Sequence, residues 1–272
     1  MLDLHIINGG IGKNIMFSSI LDKLENKICI SSYWHNLFNN HPVIEACYPD
    51  YGWDYYGMKQ FYDNFDNIVF TEPYLGNFLK RKTHCIKAYH ELLNLKCGDL
   101  YHNLHFSNEE IENTKKFVQQ LGDFVLVQFI GSDKDFNKDI NALGSRNLSL
   151  ETGQEIINII VNDLGLSVIE VNNGILNFNN TLATQKLEAR DYCLLTYFCK
   201  SFISIDSCLN HMSAFKDHLK KGVGLFRDSE YGVLFEYPHN INLYSKLPLK
   251  MKFDAKTIVD ELMIAMDFNK NQ

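Results

Sequence analysis

The opening of the chain sets the terms for everything that follows. An apolar strand, Leu4 to Ile7, enters a glycine-rich turn, Asn8-Gly9-Gly10-Ile11-Gly12-Lys13-Asn14, and a helix follows. Phe17, Ile20, Leu21 and Leu24 recur at helical spacing on one face of that helix, and Lys27 to Ser31 reads as a second strand. A strand, a helix and another strand in this order begin a parallel sheet with helices packed against it.

The same rhythm continues along the chain. Asn67 to Phe70 is a short strand running into Thr71-Glu72-Pro73-Tyr74, and residues 84–95 are helical in pattern. Ser107 and Glu110 form a capping box for a helix through Leu121, which Gly122 stops. Phe124 to Ile130, FVLVQFI, is a strongly apolar strand. Ser149 caps a helix whose apolar face is Ile156, Ile157, Ile160, Val161 and Leu164, ending at Gly165. Strands follow at Leu166 to Val171, Phe202 to Ile205 and Gly222 to Phe226. Helices are expected at Tyr192 to Cys199, from Ser207 through Phe215, and after Asp254. Residues 32–66 read as loops and short helices. The expected fold class is α/β, with two Rossmann-like lobes built on parallel sheets and a cleft between them. The N-terminal lobe is expected over residues 1–118 and the C-terminal lobe over 119–272.

Length agrees: 272 residues are many for one small α/β core and comfortable for two. No run of about 18 apolar residues is available for a membrane span. The first residues, Met1-Leu2-Asp3-Leu4-His5, carry an acid where a signal peptide carries basic charge, so a cytoplasmic protein is expected. Seven scattered cysteines without a Cys-x-x-Cys pair argue against a disulfide framework and against a zinc site, and no metal-binding residues are expected. The net charge of −7 is unlike a protein that coats duplex DNA. Locally, however, Lys80-Arg81-Lys82-Thr83-His84 with Lys87 is basic. It reads either as a solvated turn or as a seat for an anionic acceptor, with Arg81 and Lys82 as the acceptor-binding pair.

Two stretches carry chemistry. The glycine turn (Gly9, Gly10, Gly12, Lys13) is not a Walker A loop, because Ile7 stands at the first glycine position and Asn14 replaces the Ser or Thr after Lys13. Nor is it a dinucleotide fingerprint, since Ile15 occupies the third glycine position. Close backbone approach and a following helix start are what remain. The second stretch, Phe202 to Ala214, runs from a buried strand into a helix. Asp206 and Ser207 end the strand, the N–H groups of Cys208, Leu209 and Asn210 are expected to be unpaired, and His211 lies one turn beyond Ser207. Such a mouth can hold a diphosphate. The alternative is a plain helix cap beside a packed histidine.

The run Asp206-Ser207-x-x-x-His211-x-x-Ala214, then Gly222-Val223-Gly224-Leu225-Phe226 and Tyr237-Pro238-His239-Asn240, resembles the donor-binding half of the heptosyltransferase-like (GT9-type) glycosyltransferases of GT-B fold. Gly9-Gly10-Ile11-Gly12-x-x-Ile15-Met16 resembles that family's N-terminal turn, and Phe124 to Ser132 with Arg146 its second-lobe entry. The resemblance implies hexosyl, pentosyl or heptosyl transfer from a nucleotide-diphosphate sugar such as a UDP- or ADP-sugar, without metal or other cofactor. It implies donor contacts at Arg146, Asp206, Ser207, Cys208 and His211, with Lys13 a further candidate. Ribose recognition is expected near Glu188-Ala189-Arg190-Asp191, although Arg190 and Asp191 also read as an ordinary surface pair.

Where the family usually carries an acid after the glycine, this chain has Lys13. The catalytic base must then come from elsewhere. Glu72 is the first choice, with Asp50 and Asp54 of the aromatic loop YPDYGWDYY behind it. The acceptor is expected to be a surface saccharide or, in a virus-encoded enzyme, a hydroxymethylated DNA base. Two other readings stay open: a metal-dependent GT-A transferase using Asp133 and Asp135, and a binding module that has lost catalysis.

Overall fold

The computed structural model describes residues 2–50, 58–131, 146–172, 177–182, 187–246 and 251–270. It divides into two compact units, Met1–Glu110 and Ile111–Gln272. Asp54, Ser132, Asp133 and Asp135 lie outside the described residues.

The first unit is built on four parallel strands, β1 (Asp3–Ile6), β2 (Ile28–Ser31), β3 (Ile44–Tyr48) and β4 (Asn67–Phe70), in the order β3-β2-β1-β4. Side chains alternate across β1. Leu4 and Ile6 join Cys29 and Tyr62 in one apolar cluster. His5 faces the other way, its ring 5.9 Å from that of Phe17, which in turn packs edge-on against Phe38 and Tyr89. Helix α1 (Ile11–Phe17) lies between β1 and β2 and α2 (Lys59–Tyr62) between β3 and β4, while α3 (Gly76–Leu79) and α4 (Cys85–Leu92) follow β4. α1 is shorter than its apolar spacing suggests. The hydroxyls of Ser18 and Ser19 donate to the carbonyls of Ile15 and Met16, and the chain tightens into a 3-10 turn over Ser18–Lys23. The stretch 32–66, expected as loops and short helices, contains β3. Its sequence IEACY is only partly buried at the sheet edge, so it shows no clean period.

Helix α5 (Asn108–Gln119) begins with the expected box: Glu110 N donates to Ser107 Oγ and Ser107 N to the Glu110 carboxylate. The second unit has five parallel strands, β5 (Phe124–Gln128), β6 (Ser167–Glu170), β7 (Ser201–Ile205), β10 (Val223–Phe226) and β11 (Ile241–Tyr244), in the order β11-β10-β7-β5-β6. Every residue of β5 and β7 is buried, as strands covered on both faces require. One covering layer includes Ile156, Ile157 and Ile160 of α6 (Leu150–Asn162) and Ile258, Val259 and Leu262 of α10 (Ala255–Lys270). Ser149 and Asp254 cap these two helices through the N–H groups of Thr152 and Thr257. α7 (Ala189–Phe198) leads into β7.

The helix expected from Ser207 through Phe215 is much shorter. α8 covers Cys208–Met212, and the chain then turns into a hairpin of β8 (Ala214–Phe215) and β9 (His218–Leu219). Helix α9 (Ser229–Phe235) and strand β11 are further elements that the sequence pattern did not reveal.

Candidate active site

Open α/β sheets bind ligands beyond the carboxyl ends of their strands, where the strand order reverses. In the first unit that point lies between β1 and β4. The chain leaves β1 into the glycine turn, where Gly9 has φ +108°, and a β-carbon there would come within 2.9 Å of Lys13 Cδ. Glycine is therefore needed twice, for its backbone angle and for the path of the lysine. Asn14, fully buried, fixes the turn: its amide nitrogen donates to Gly10 O and its Oδ1 accepts from Ser32 Oγ at 2.6 Å.

The chain leaves β4 at Glu72. Lys13 Nζ lies 2.6 Å from Glu72 Oε2, with the lysine side chain 7% exposed and the glutamate 44% exposed. Glu72 Oε1 accepts from Tyr74 N at 3.0 Å, and the Tyr74 ring lies 4.6 Å from the ammonium. Tyr89 OH donates to Lys13 O, and burial holds that phenol's pKa well above its ordinary value. Lys13 thus pairs with Glu72 and lies over the Tyr74 ring. A carboxylate that follows β4 thereby lies beside the residue after the glycine turn.

Asp50, the second candidate base, is exposed just beyond β3 at the opposite sheet edge. Three strand spacings, about 14 Å, separate the ends of β3 and β4, so Asp50 and Glu72 do not form one site. Arg81 and Lys82 follow α3 on the surface. Thr83 and His84 of the same basic run are buried, and His84 Nδ1 caps α4 through the N–H of Ile86.

In the second unit the order reverses between β5 and β7. Asp206 follows β7 and is buried, and Arg146 donates to its carbonyl at 3.1 Å. These two of the expected donor residues meet. The amide mouth of α8 differs from expectation. Leu209 N donates to Gln128 Oε1 at 2.9 Å, and Asn210 N to Ser207 O at 3.2 Å. Ser207 occupies the cap position without a side-chain cap bond. Gln128, reaching across from β5, does that work and also contacts the Cys208 thiol at 3.4 Å. With five residues, α8 carries little dipole, and two of its first N–H groups are already satisfied. The open amide cradle is therefore corrected.

His211 is 4% exposed and its Nδ1 lies 3.0 Å from Tyr237 OH. Beside it Asn210 Nδ2 donates to Phe235 O, and Asn240 bridges Asn210 and Gly222 N. The stretches 206–214 and 237–240 thus share one buried polar network. Glu188 and Asp191 form the capping box of α7, with Glu188 exposed and Arg190 buried. Glu170, closing β6, is a second buried acid at a strand end, in addition to Asp206 after β7. Burial raises its pKa, while the Asn177 amide and backbone N–H pull it back.

Gln128 and Glu170 stand outside the motifs singled out in the sequence, and Tyr74 and Tyr237 appear there without a role of their own. Gln128 had a signal, as the lone polar residue in FVLVQFI.

The whole architecture matches a solved glycosyl transferase family 9 protein from Veillonella parvula. The TM-score is 0.72 at 12% identity, covering 98% of this chain and 97% of that one. The fold is that of the family 9 glycosyltransferases. The same GT-B fold appears in E. coli ADP-heptose LPS heptosyltransferase II, at TM-score 0.70 and 12% identity over 99% and 100% of the two chains. E. coli heptosyltransferase WaaC with ADP matches at 0.63 and 10%, over 97% and 100%. No family model matches the sequence, and no curated protein matches it. Among the described residues no helix is long and apolar enough to cross a membrane.

Proposed function

We propose that the chain transfers a glycosyl group from a nucleotide-diphosphate sugar to an acceptor hydroxyl, with the base in the first unit and the donor site in the second. The observation that carries this reading is the 2.6 Å Lys13–Glu72 pair at the reversal point of the first sheet. It supports a carboxylate where the family resemblance implies an acid, presented from β4 instead of from the turn. Glu72 is open enough, at 44%, for a hydroxyl to reach it, and Lys13 keeps it in place.

In the proposed reaction Glu72 takes the proton of the acceptor hydroxyl. The oxygen attacks the anomeric carbon, and the bond from that carbon to the diphosphate oxygen breaks. The leaving diphosphate gains negative charge, which Arg146 beside Asp206 stabilises. Arg146 is the cation proposed to meet the phosphate charge, and turnover without a divalent ion is part of the proposal. Lys80, Arg81 and Lys82 favour an anionic acceptor, a charged saccharide or a hydroxymethylated base in DNA.

A panel of nucleotide sugars screened by thermal shift tests the donor. A specific sugar should raise the melting temperature of wild type and of Glu72→Gln, and much less that of Arg146→Ala. Transfer to an acceptor library should fall on the order of 10²–10⁴-fold in Glu72→Gln. No stabilisation by any nucleotide sugar, or full transfer by Glu72→Gln, sinks the proposal. Charge reversal at Arg81 and Lys82 should weaken acceptor binding without changing the donor shift.

A further inference from the structure

We propose that Asp22, His41 and His105 form a binding site for one divalent transition-metal ion, which staples the amino-terminal side of the first sheet. The three side chains come from separate segments. Asp22 is in the 3-10 turn Ser18–Lys23, His41 precedes β3, and His105 precedes α5. One ligand atom of each lies within 4.8 Å of the other two. The two imidazoles meet edge to face with centroids 4.4 Å apart.

The deciding atom is His41 Nε2. The His41 side chain is 1% exposed, and Nε2 is buried with no hydrogen-bond partner. It faces Asp22 Oδ1 at 3.8 Å, beyond hydrogen-bond reach. A buried polar atom aimed at a carboxylate and a second imidazole, and joined to neither, is a place for a cation.

Two imidazoles and one carboxylate suit first-row divalent ions and leave a coordination position for water. Metal bonds of about 2.0–2.1 Å set tetrahedral ligand atoms about 3.3 Å apart, so loading draws the three groups modestly inward. It also requires the His41 proton on Nδ1, in exchange for the long 3.3 Å contact from Val43 N–H. Asn103, 3.3 Å from His105 Nε2, helps to orient that ring. Asp22 lies on the surface and gives the ion a way in.

Position sets the role. Ile28 N, at the start of β2, donates to Val43 O just beyond His41. The cluster therefore sits at the amino ends of β2 and β3, whereas Glu72 sits at the carboxyl end of β4. The ion holds structure and touches no acceptor, and the inference does not depend on the glycosyl-transfer reading.

The test uses the full-length chain, stripped with chelator and titrated with Co²⁺ and Zn²⁺. One ion should bind per chain, with a visible cobalt d–d band and no sulfur charge-transfer band. Asp22→Asn and His105→Ala should each weaken binding about tenfold or more. Zn²⁺ should raise the melting temperature of wild type and of neither variant. Both variants alter side chains that are not fully buried, and circular dichroism with the metal-free melting temperature confirms their fold. Absence of one-to-one binding, a sulfur band, or wild-type affinity in both folded variants overturns the site.

Discussion

Removing either partner of the Lys13–Glu72 pair should destabilise the first unit, but by unequal amounts. At 2.6 Å and an effective dielectric of about 20, the gross attraction is about 6 kcal/mol. Desolvation of Lys13 and screening at the 44%-exposed Glu72 reduce this, leaving a coupling on the order of 1–3 kcal/mol. The asymmetry follows from burial. Lys13→Met leaves a carboxylate that water can solvate, at about 1 kcal/mol. Glu72→Ala strands an ammonium that is 7% exposed; such a loss costs about 3–5 kcal/mol, less what the Tyr74 ring returns, about 0.5–1 kcal/mol. Urea unfolding of the two single variants and the double variant, followed by a probe in residues 1–110, measures all three terms. Equal losses in the two single variants, or a coupling below about 0.5 kcal/mol, would refute the argument that burial of the lysine governs this pair.

Other measurements reach the remaining elements. Gln128→Leu removes the acceptor for Leu209 N–H and should cost about 1–3 kcal/mol in guanidinium unfolding of the second unit, with the fold retained. His5 is buried with its pKa lowered to about 4, chiefly by desolvation. The unfolded chain takes up that proton first, so the stability tied to neutral His5 is complete above about pH 6.5 and drains as pH falls toward 4. The slope is roughly 1.4 kcal/mol per pH unit, and His5→Gln should flatten it by that amount.

The sequence announced elements with strong local chemistry. Ser107, Ser149 and Asp254 start their helices as their side chains require, and Gly122 and Gly165 stop theirs at φ +70° and +65°. β5 was plain because a doubly covered strand is apolar throughout. β3 was obscure because a partly buried edge strand has no such pattern. The site was harder. Glu72 could be named from its place after a strand, but its pairing with Lys13 joins residues whose closeness depends on β4 lying beside β1. The α8 mouth differs because its N–H groups read as unpaired in the local sequence, while the group that satisfies Leu209 N–H comes from Gln128 on another strand. The Asp22–His41–His105 cluster has no spacing signature, since three turns of tertiary structure bring it together.

The two sheets also differ in when they can be completed during synthesis. In the first unit β1 is interior, paired with β2 and β4, and all four strands have been made once Phe70 is added. That half can therefore assemble on the ribosome while later residues are still being added. The second unit must wait, because Ile258, Val259 and Leu262 of the last helix are part of the core around β5 and β7. Until those residues emerge, its strands present apolar surface, and this is the interval in which a nascent chain of this kind is most exposed to aggregation.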